Sequence, residues 1–184
     1  MKKVVFLGSD GSGKSGLINY VKEQLEKEGN KVDVVFMGWK DFYNPLLRLV
    51  SKIYLRRKKK SNEKKLRRFR VRSWGFYFIY YSELWIRYLK VLLSRADYVL
   101  IDRYFYDELS FSGRKLRFLS RLTPSPDKCF VLRAGNNILK ERGVDVSKEE
   151  LDRFYLAFEK LDADWIDSSG RIEDTFELIK EDFR

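Results

Sequence analysis

The sequence predicts an α/β fold of three layers, a five-stranded parallel sheet flanked by helices. Short apolar runs of the buried-strand type alternate with helix-period segments along the chain, which is how a parallel sheet covered on both faces reads. A glycine-rich turn joins the first such run to the first helix. The 184 residues, 44% hydrophobic and 16% aromatic, are enough for one domain with its own core. The expectation is therefore a single domain over 1–184.

Residues 3–7 form a short apolar strand ending at glycine. Residues 15–28 form a helix with Leu17, Ile18, Val21 and Leu25 on one face and Gly29-Asn30 as its stop. Residues 32–37 are a second, β-branched strand. Pro45 opens a helix to about residue 55, and a basic block follows at 56–72, broken at Ser61-Asn62. A long amphipathic helix then runs to about residue 94. Residues 98–102 are the third strand, and two short helices fit between 104 and 122. A proline-containing loop at 123–126 leads into a fourth strand at 128–132 and a short helix at 136–142. Residues 147–161 are a clearer helix, opened by the capping-box pair Ser147 and Glu150. A fifth strand at 165–167 and a closing helix at 172–183 complete the chain.

Composition excludes whole classes of chemistry. There is no histidine, so Ser-His and Cys-His nucleophiles and histidine zinc sites are ruled out. One cysteine, Cys129, permits no intrachain disulfide and no cysteine-cluster metal site. The apolar run at the start is too short for a signal peptide, and no stretch reaches the length of a spanning helix. A soluble, cytoplasmic protein is the expectation.

The net charge is +11, from 38 Lys and Arg against 27 Asp and Glu. The block at 56–72 holds eleven of the cations and one glutamate, hence all but one of the excess charges. Its plain reading is a solvated helix connection or insert, because like charges repel. The rival readings are contact with an anionic membrane surface, another polyanion or an acidic substrate. No groove-reading motif accompanies it, so no specific nucleic-acid partner is expected.

The strongest motif is Gly8-Ser9-Asp10-Gly11-Ser12-Gly13-Lys14-Ser15. It satisfies G-x-x-x-x-G-K-[ST] between a strand and a helix, the context a phosphate-binding loop requires. Glycines let the amides turn inward, and those amides with the helix N-terminus make an anion site. Lys14 is then placed for the β- and γ-phosphates of ATP, and the Ser15 hydroxyl for Mg²⁺. The second constellation is Asp102-Arg103-Tyr104 at the end of the third strand. An acid at that strand end suits Mg²⁺, and an adjacent arginine suits a phosphate clamp.

With a strand ending in Asp102-Arg103-Tyr104, GSDGSGKS resembles the thymidylate kinase family of P-loop nucleoside monophosphate kinases. Residues 130–143 and 149–179 resemble that family's fourth strand and last helices, and the likeness covers about 1–37 and 95–184. It implies the P-loop NTPase fold and transfer of the ATP γ-phosphate to a nucleoside monophosphate, dTMP first among them. It also implies a homodimer formed through helices in the Trp74–Trp85 region. By position, Asp10 contacts the acceptor sugar, Arg103 bridges donor and acceptor phosphates, and Asp102 lies near Mg²⁺. The loop carries no arginine, so the chain is similar to members that supply one from a lid. That lid is short, about 140–148, with Arg142, Lys140 and Lys148 as candidates.

Departures fall on acceptor recognition. The segment after the second strand is Met37-Gly-Trp-Lys-Asp41, lacking the family's arginine; Lys40 and Arg48 are the substitutes at hand. Tyr80 and Tyr104 are candidate acceptor contacts. Leu84 occupies the position of the base-reading arginine, with Arg87 one turn on, and Ser112 replaces the base-reading glutamine. Two alternatives follow: a same-fold kinase with a different or non-nucleotide acceptor, and a nucleotide-binding module without kinase activity.

Overall fold

A computed structural model describes residues 1–38, 42–45, 47–49, 74–106 and 123–183, with the backbone alone at 74–79. The basic block, Lys40, Ser112 and the two short helices expected between 104 and 122 lie largely or wholly outside these residues. The chain divides into two compact units, Met1–Gly38 with Leu93–Arg184, and Trp39–Leu92.

The first unit carries five strands: β1 (Lys2–Gly8), β2 (Val32–Phe36), β3 (Tyr98–Asp102), β4 (Lys128–Arg133) and β5 (Asp164–Asp167). They form one sheet in the order β2-β3-β1-β4-β5, every neighbouring pair parallel. Val4, Val5, Phe6 and Leu7 are fully buried, because β1 is central and covered on both faces. In register, Phe6 faces Asp102 and Gly8 faces Leu132, so the chain leaves β1 beside the ends of β3 and β4.

Helix α1 (Lys14–Lys27) buries Leu17, Ile18, Val21 and Leu25, the face expected from their spacing. It ends as a Schellman motif: Gly29 adopts φ 90°, its amide bonds Glu26 O, and the Asn30 amide bonds Leu25 O. The α1 side chains pack with Val4, Phe6, Leu100, Phe130, Ile166, Ile179 and Phe183 in one apolar cluster. Full burial of each such side chain stabilises the fold by roughly 1.5–3 kcal/mol.

The remaining helices are α2 (Trp74–Leu93), α3 (Asn136–Glu141), α4 (Lys148–Leu156) and α5 (Ile172–Glu177). Ser147 caps α4, its hydroxyl accepting the Glu150 amide at 3.3 Å. Helix α4 ends at Leu156, short of the expected 161. Beyond it Phe158 N bonds Tyr155 O and Leu161 N bonds Phe158 O, tight i to i−3 turns that carry Phe158 into the interior. The expected closing helix is likewise two pieces, α5 and a 3-10 turn at Lys180–Phe183. That tightening buries Ile179 and Phe183, and the Phe183 carbonyl accepts the Tyr98 hydroxyl at 2.7 Å.

The second unit contains most of α2 and the helical residues at 45 and 47–49. Glu83 of α2 is wholly buried there. Its carboxylate accepts the Tyr43 and Asn44 amides at 2.8 and 2.9 Å and the Arg87 Nε at 3.0 Å. It thus satisfies the free amides that precede the helix opened by Pro45.

Candidate active site

Four segments of the first unit meet at the carboxyl ends of the parallel strands: the loop after β1, the Asp102-Arg103 pair at the end of β3, and the segments after β4 and β5. The loop between β1 and α1 makes its sharp turns at glycines. A Cβ at Gly8 would lie 2.6 Å from the Leu132 carbonyl oxygen, so only glycine admits this approach to β4. Gly13 enters α1 with φ 87°, the left-handed region that a side chain penalises.

Lys14 is 6% exposed, and its Nζ donates to Gly8 O, Ser9 O and Ser12 Oγ at 2.8, 2.7 and 3.3 Å. The ammonium is therefore curled within the loop that the sequence marks for phosphate. The Ser15 hydroxyl donates to Asp102 Oδ2 at 3.1 Å, joining the two sequence constellations. The other oxygen, Asp102 Oδ1, is buried without a hydrogen-bond partner. A hydroxyl beside a carboxylate with one buried oxygen unsatisfied fits a hard cation such as Mg²⁺. Among the described residues no cluster of three or more histidine, cysteine or acidic side chains forms a separate metal site.

Arg103 pairs with Asp10, so two residues picked from different motifs meet. Arg103 adopts φ 67°, alone among the described non-glycine residues in having positive φ. Its amide bonds Phe6 O at 3.1 Å, and the preceding Asp102 carbonyl takes the Met37 amide at 2.9 Å. Gly38 makes room for it, since a Cβ there would fall 2.6 Å from Arg103 Cδ. Backbone strain of this kind, worth about 1–3 kcal/mol, concentrates at functional positions.

Arg142 follows α3 and lies on the phosphate loop. Its Nη1 donates to Gly11 O at 2.9 Å and its Nη2 to Ser168 O at 3.1 Å. Val144 packs at the same turn, where a Cβ on Gly11 would meet it at 2.7 Å. The other lid candidates, Lys140 and Lys148, are exposed. Two further buried polar atoms, Asn136 Oδ1 and Ser168 Oγ, lack partners at the starts of the segments after β4 and β5. The Asp167 carboxyl is held below the ordinary carboxylate range by the Ser169 hydroxyl and amide, and Ser169 Oγ also accepts the Gly135 amide at 3.1 Å.

The acceptor candidates are placed differently. Tyr104 is 1% exposed, and its hydroxyl donates to the Pro124 carbonyl at 2.8 Å. In the second unit, Tyr80 is buried against the Phe42 ring, and Arg87 is paired with Glu83 and stacked 5.4 Å over Phe42. Arg48 donates to the Phe42 carbonyl. Glu83 is not among the residues that the sequence motifs single out. The signal was its spacing of four from Arg87 on a mainly aromatic helix.

The parallel sheet, the glycine loop with its lysine, and the hydroxyl-carboxylate pair define a P-loop kinase fold. No protein-family model and no curated protein sequence matches the chain. Solved structures do, and the fold is thymidylate-kinase-like. The thymidylate kinase of Ehrlichia chaffeensis superposes with a TM-score of 0.64 at 16% identity, covering 100% of this chain and 98% of that one. That of Candida albicans gives 0.63 at 17% identity, covering 99% and 92%. The deoxyadenosine kinase of M. mycoides, solved with bound dATP, gives 0.58 at 14% identity, covering 98% of each chain.

Proposed function

We propose that this protein is a thymidylate-kinase-like phosphotransferase, moving the γ-phosphate of ATP, bound with Mg²⁺, to a nucleoside monophosphate, dTMP the first candidate. The observation that carries the reading is the meeting of Lys14, Ser15, Asp102, Arg103 and Asp10 at one sheet edge. Phosphoryl transfer runs on positioning and charge neutralisation, so the lack of histidine removes nothing it needs. In this reading the loop amides and Lys14 would hold the donor phosphates, Ser15 and Asp102 would hold Mg²⁺, whose charge would offset that of the phosphates, and Arg103 would stabilise the transferring group. Arg142 is the arginine beside the loop. The experiment is a transfer assay with labelled ATP and Mg²⁺ over a panel of nucleoside monophosphates, nucleosides and sugars. Labelled dTDP supports the reading; no labelled product from any monophosphate overturns it.

A second reading, a same-fold kinase with another acceptor, is favoured by Arg87. That guanidinium is buried and paired with Glu83, which sets it apart from a base-reading arginine. Product from a nucleoside or sugar alone supports this reading, and ATP binding without any product supports a nucleotide-binding module. A homodimer through α2 is proposed from its exposed Trp85, Ile86, Leu89, Leu92 and Leu93. Sedimentation checks it: a monomer at micromolar concentration rejects the dimer.

A further inference from the structure

We propose that Tyr155 of α4 is a positioning residue for the donor phosphates, acting through Ser9 of the phosphate loop. The inference rests on that loop being the ATP site. Tyr155 is 3% exposed, and its hydroxyl donates to Leu132 O at 2.9 Å. The same oxygen lies 3.2 Å from Ser9 Oγ, in a residue 7% exposed. With the phenolic hydrogen directed at Leu132 O, the Ser9 hydroxyl is the donor to Tyr155. One phenol therefore fixes both the end of β4 and the first turn of the loop.

The Leu132 carbonyl it bonds is the atom that excludes a Cβ at Gly8. The Ser9 carbonyl accepts Lys14 Nζ at 2.7 Å and the Ser12 amide at 3.2 Å. Orientation of Ser9 thus sets the part of the loop that holds the lysine and turns the amides inward. Amide donors stabilise phosphate charge to the extent that they are already aimed before it arrives. The ring has its own packing, with Phe154 at 5.3 Å and Trp165 at 5.8 Å, and Arg133 stacked at 5.5 Å. Tyr155→Phe therefore removes the hydroxyl and leaves the ring's contacts.

The test measures equilibrium binding of fluorescently labelled MgATP to the full chain and to Tyr155→Phe, Ser9→Ala and the double variant. Circular dichroism confirms that each is folded at the assay temperature. Each single change is expected to weaken binding about three- to tenfold, the worth of one buried hydrogen bond. The double variant is expected to be no weaker than the poorer single, because the Ser9–Tyr155 bond deleted by Ser9→Ala is already absent in Tyr155→Phe. In the transfer assay KM for ATP rises while KM for the acceptor stays unchanged. Unaltered affinities, or losses that simply add, overturn the inference; so does a lowered melting temperature with wild-type affinity, the mark of a purely structural role. If Tyr155→Phe does not fold, Ser9→Ala decides alone by the same criterion. Wild-type protein that binds no MgATP overturns the ATP-site reading and this inference with it. Wild-type binding with unaltered variants overturns this inference only.

Discussion

Arg103 combines a proposed role at the transferring phosphate with backbone strain. Its positive φ penalises any residue with a side chain, and glycine would relieve that penalty. The ion pair it loses, with an exposed Asp10, is worth about 0–1 kcal/mol. Arg103→Gly is therefore expected to keep its unfolding free energy within about 1 kcal/mol of wild type, while phosphoryl transfer falls by about 100-fold or more. Urea denaturation beside a kinetic assay separates the two. Asp167 supplies a second residue-scale prediction. Its folded-state pKa is depressed by Ser169, so its contribution is present above the unfolded value near 3.9 and is lost as pH falls through the folded one. Asp167→Asn should flatten the acid limb of stability against pH below about pH 4. An acid limb identical to wild type in denaturation titrations would count against it.

At the scale of elements, strands, caps and the end of α1 were legible, while the ends of α4 and of the closing helix were not. The four-residue apolar runs, the Gly29-Asn30 stop and the Ser147 cap are local chemistry, and they stand in the structure where the sequence puts them. The early end of α4 and the broken closing helix were illegible, because burial of Phe158 and the packing of Phe183 on Phe130, remote in sequence, are set by the assembled core. The candidate site divides in the same way. Residues 8–15 and 102–103 were readable because phosphate binding needs a fixed local pattern. Tyr155 and Glu83 were not, since each acts on backbone groups that only the fold brings near. The Glu83–Arg87 pair is buried on both sides, so its disruption is costly. Glu83→Ala is expected to destabilise the protein by about 3–5 kcal/mol, through loss of the buried carboxylate that pairs with Arg87 and accepts the Tyr43 and Asn44 amides. Replacing both residues by Met should recover a large part of that loss. Chemical denaturation of the single and double variants provides the comparison.

At the scale of the whole molecule, the unit boundaries fall within about two residues of where the family likeness stops and resumes. The resemblance covers about 1–37 and 95–184, and the first unit is Met1–Gly38 with Leu93–Arg184. The residues proposed for donor chemistry thus belong to one unit, and most of the segments nominated for acceptor recognition belong to the other. The basic block at 56–72 lies in that second span of sequence. If it holds the protein to anionic lipid, flotation with phosphatidylserine liposomes should recover wild type and lose Lys58→Ser/Lys59→Ser/Lys60→Ser, with recovery falling as salt rises. Equal recovery of the two proteins would assign the block to other work.

The sheet order has a consequence for how the protein is made. Among the five strands β1 comes first in the chain, yet its two neighbours are β3 and β4, which begin at Tyr98 and Lys128. A nascent chain that has not yet reached Tyr98 holds the apolar Val4–Leu7 run of β1 with neither edge partnered. Closure waits for contacts of long sequence separation, which slows folding toward the millisecond-to-second range. During that interval Val4–Leu7 is a segment for a ribosome-associated chaperone to shield. A circular permutant opened near Gly29, which moves β1 to the end of the chain, should shift the stage of synthesis at which the sheet first resists protease.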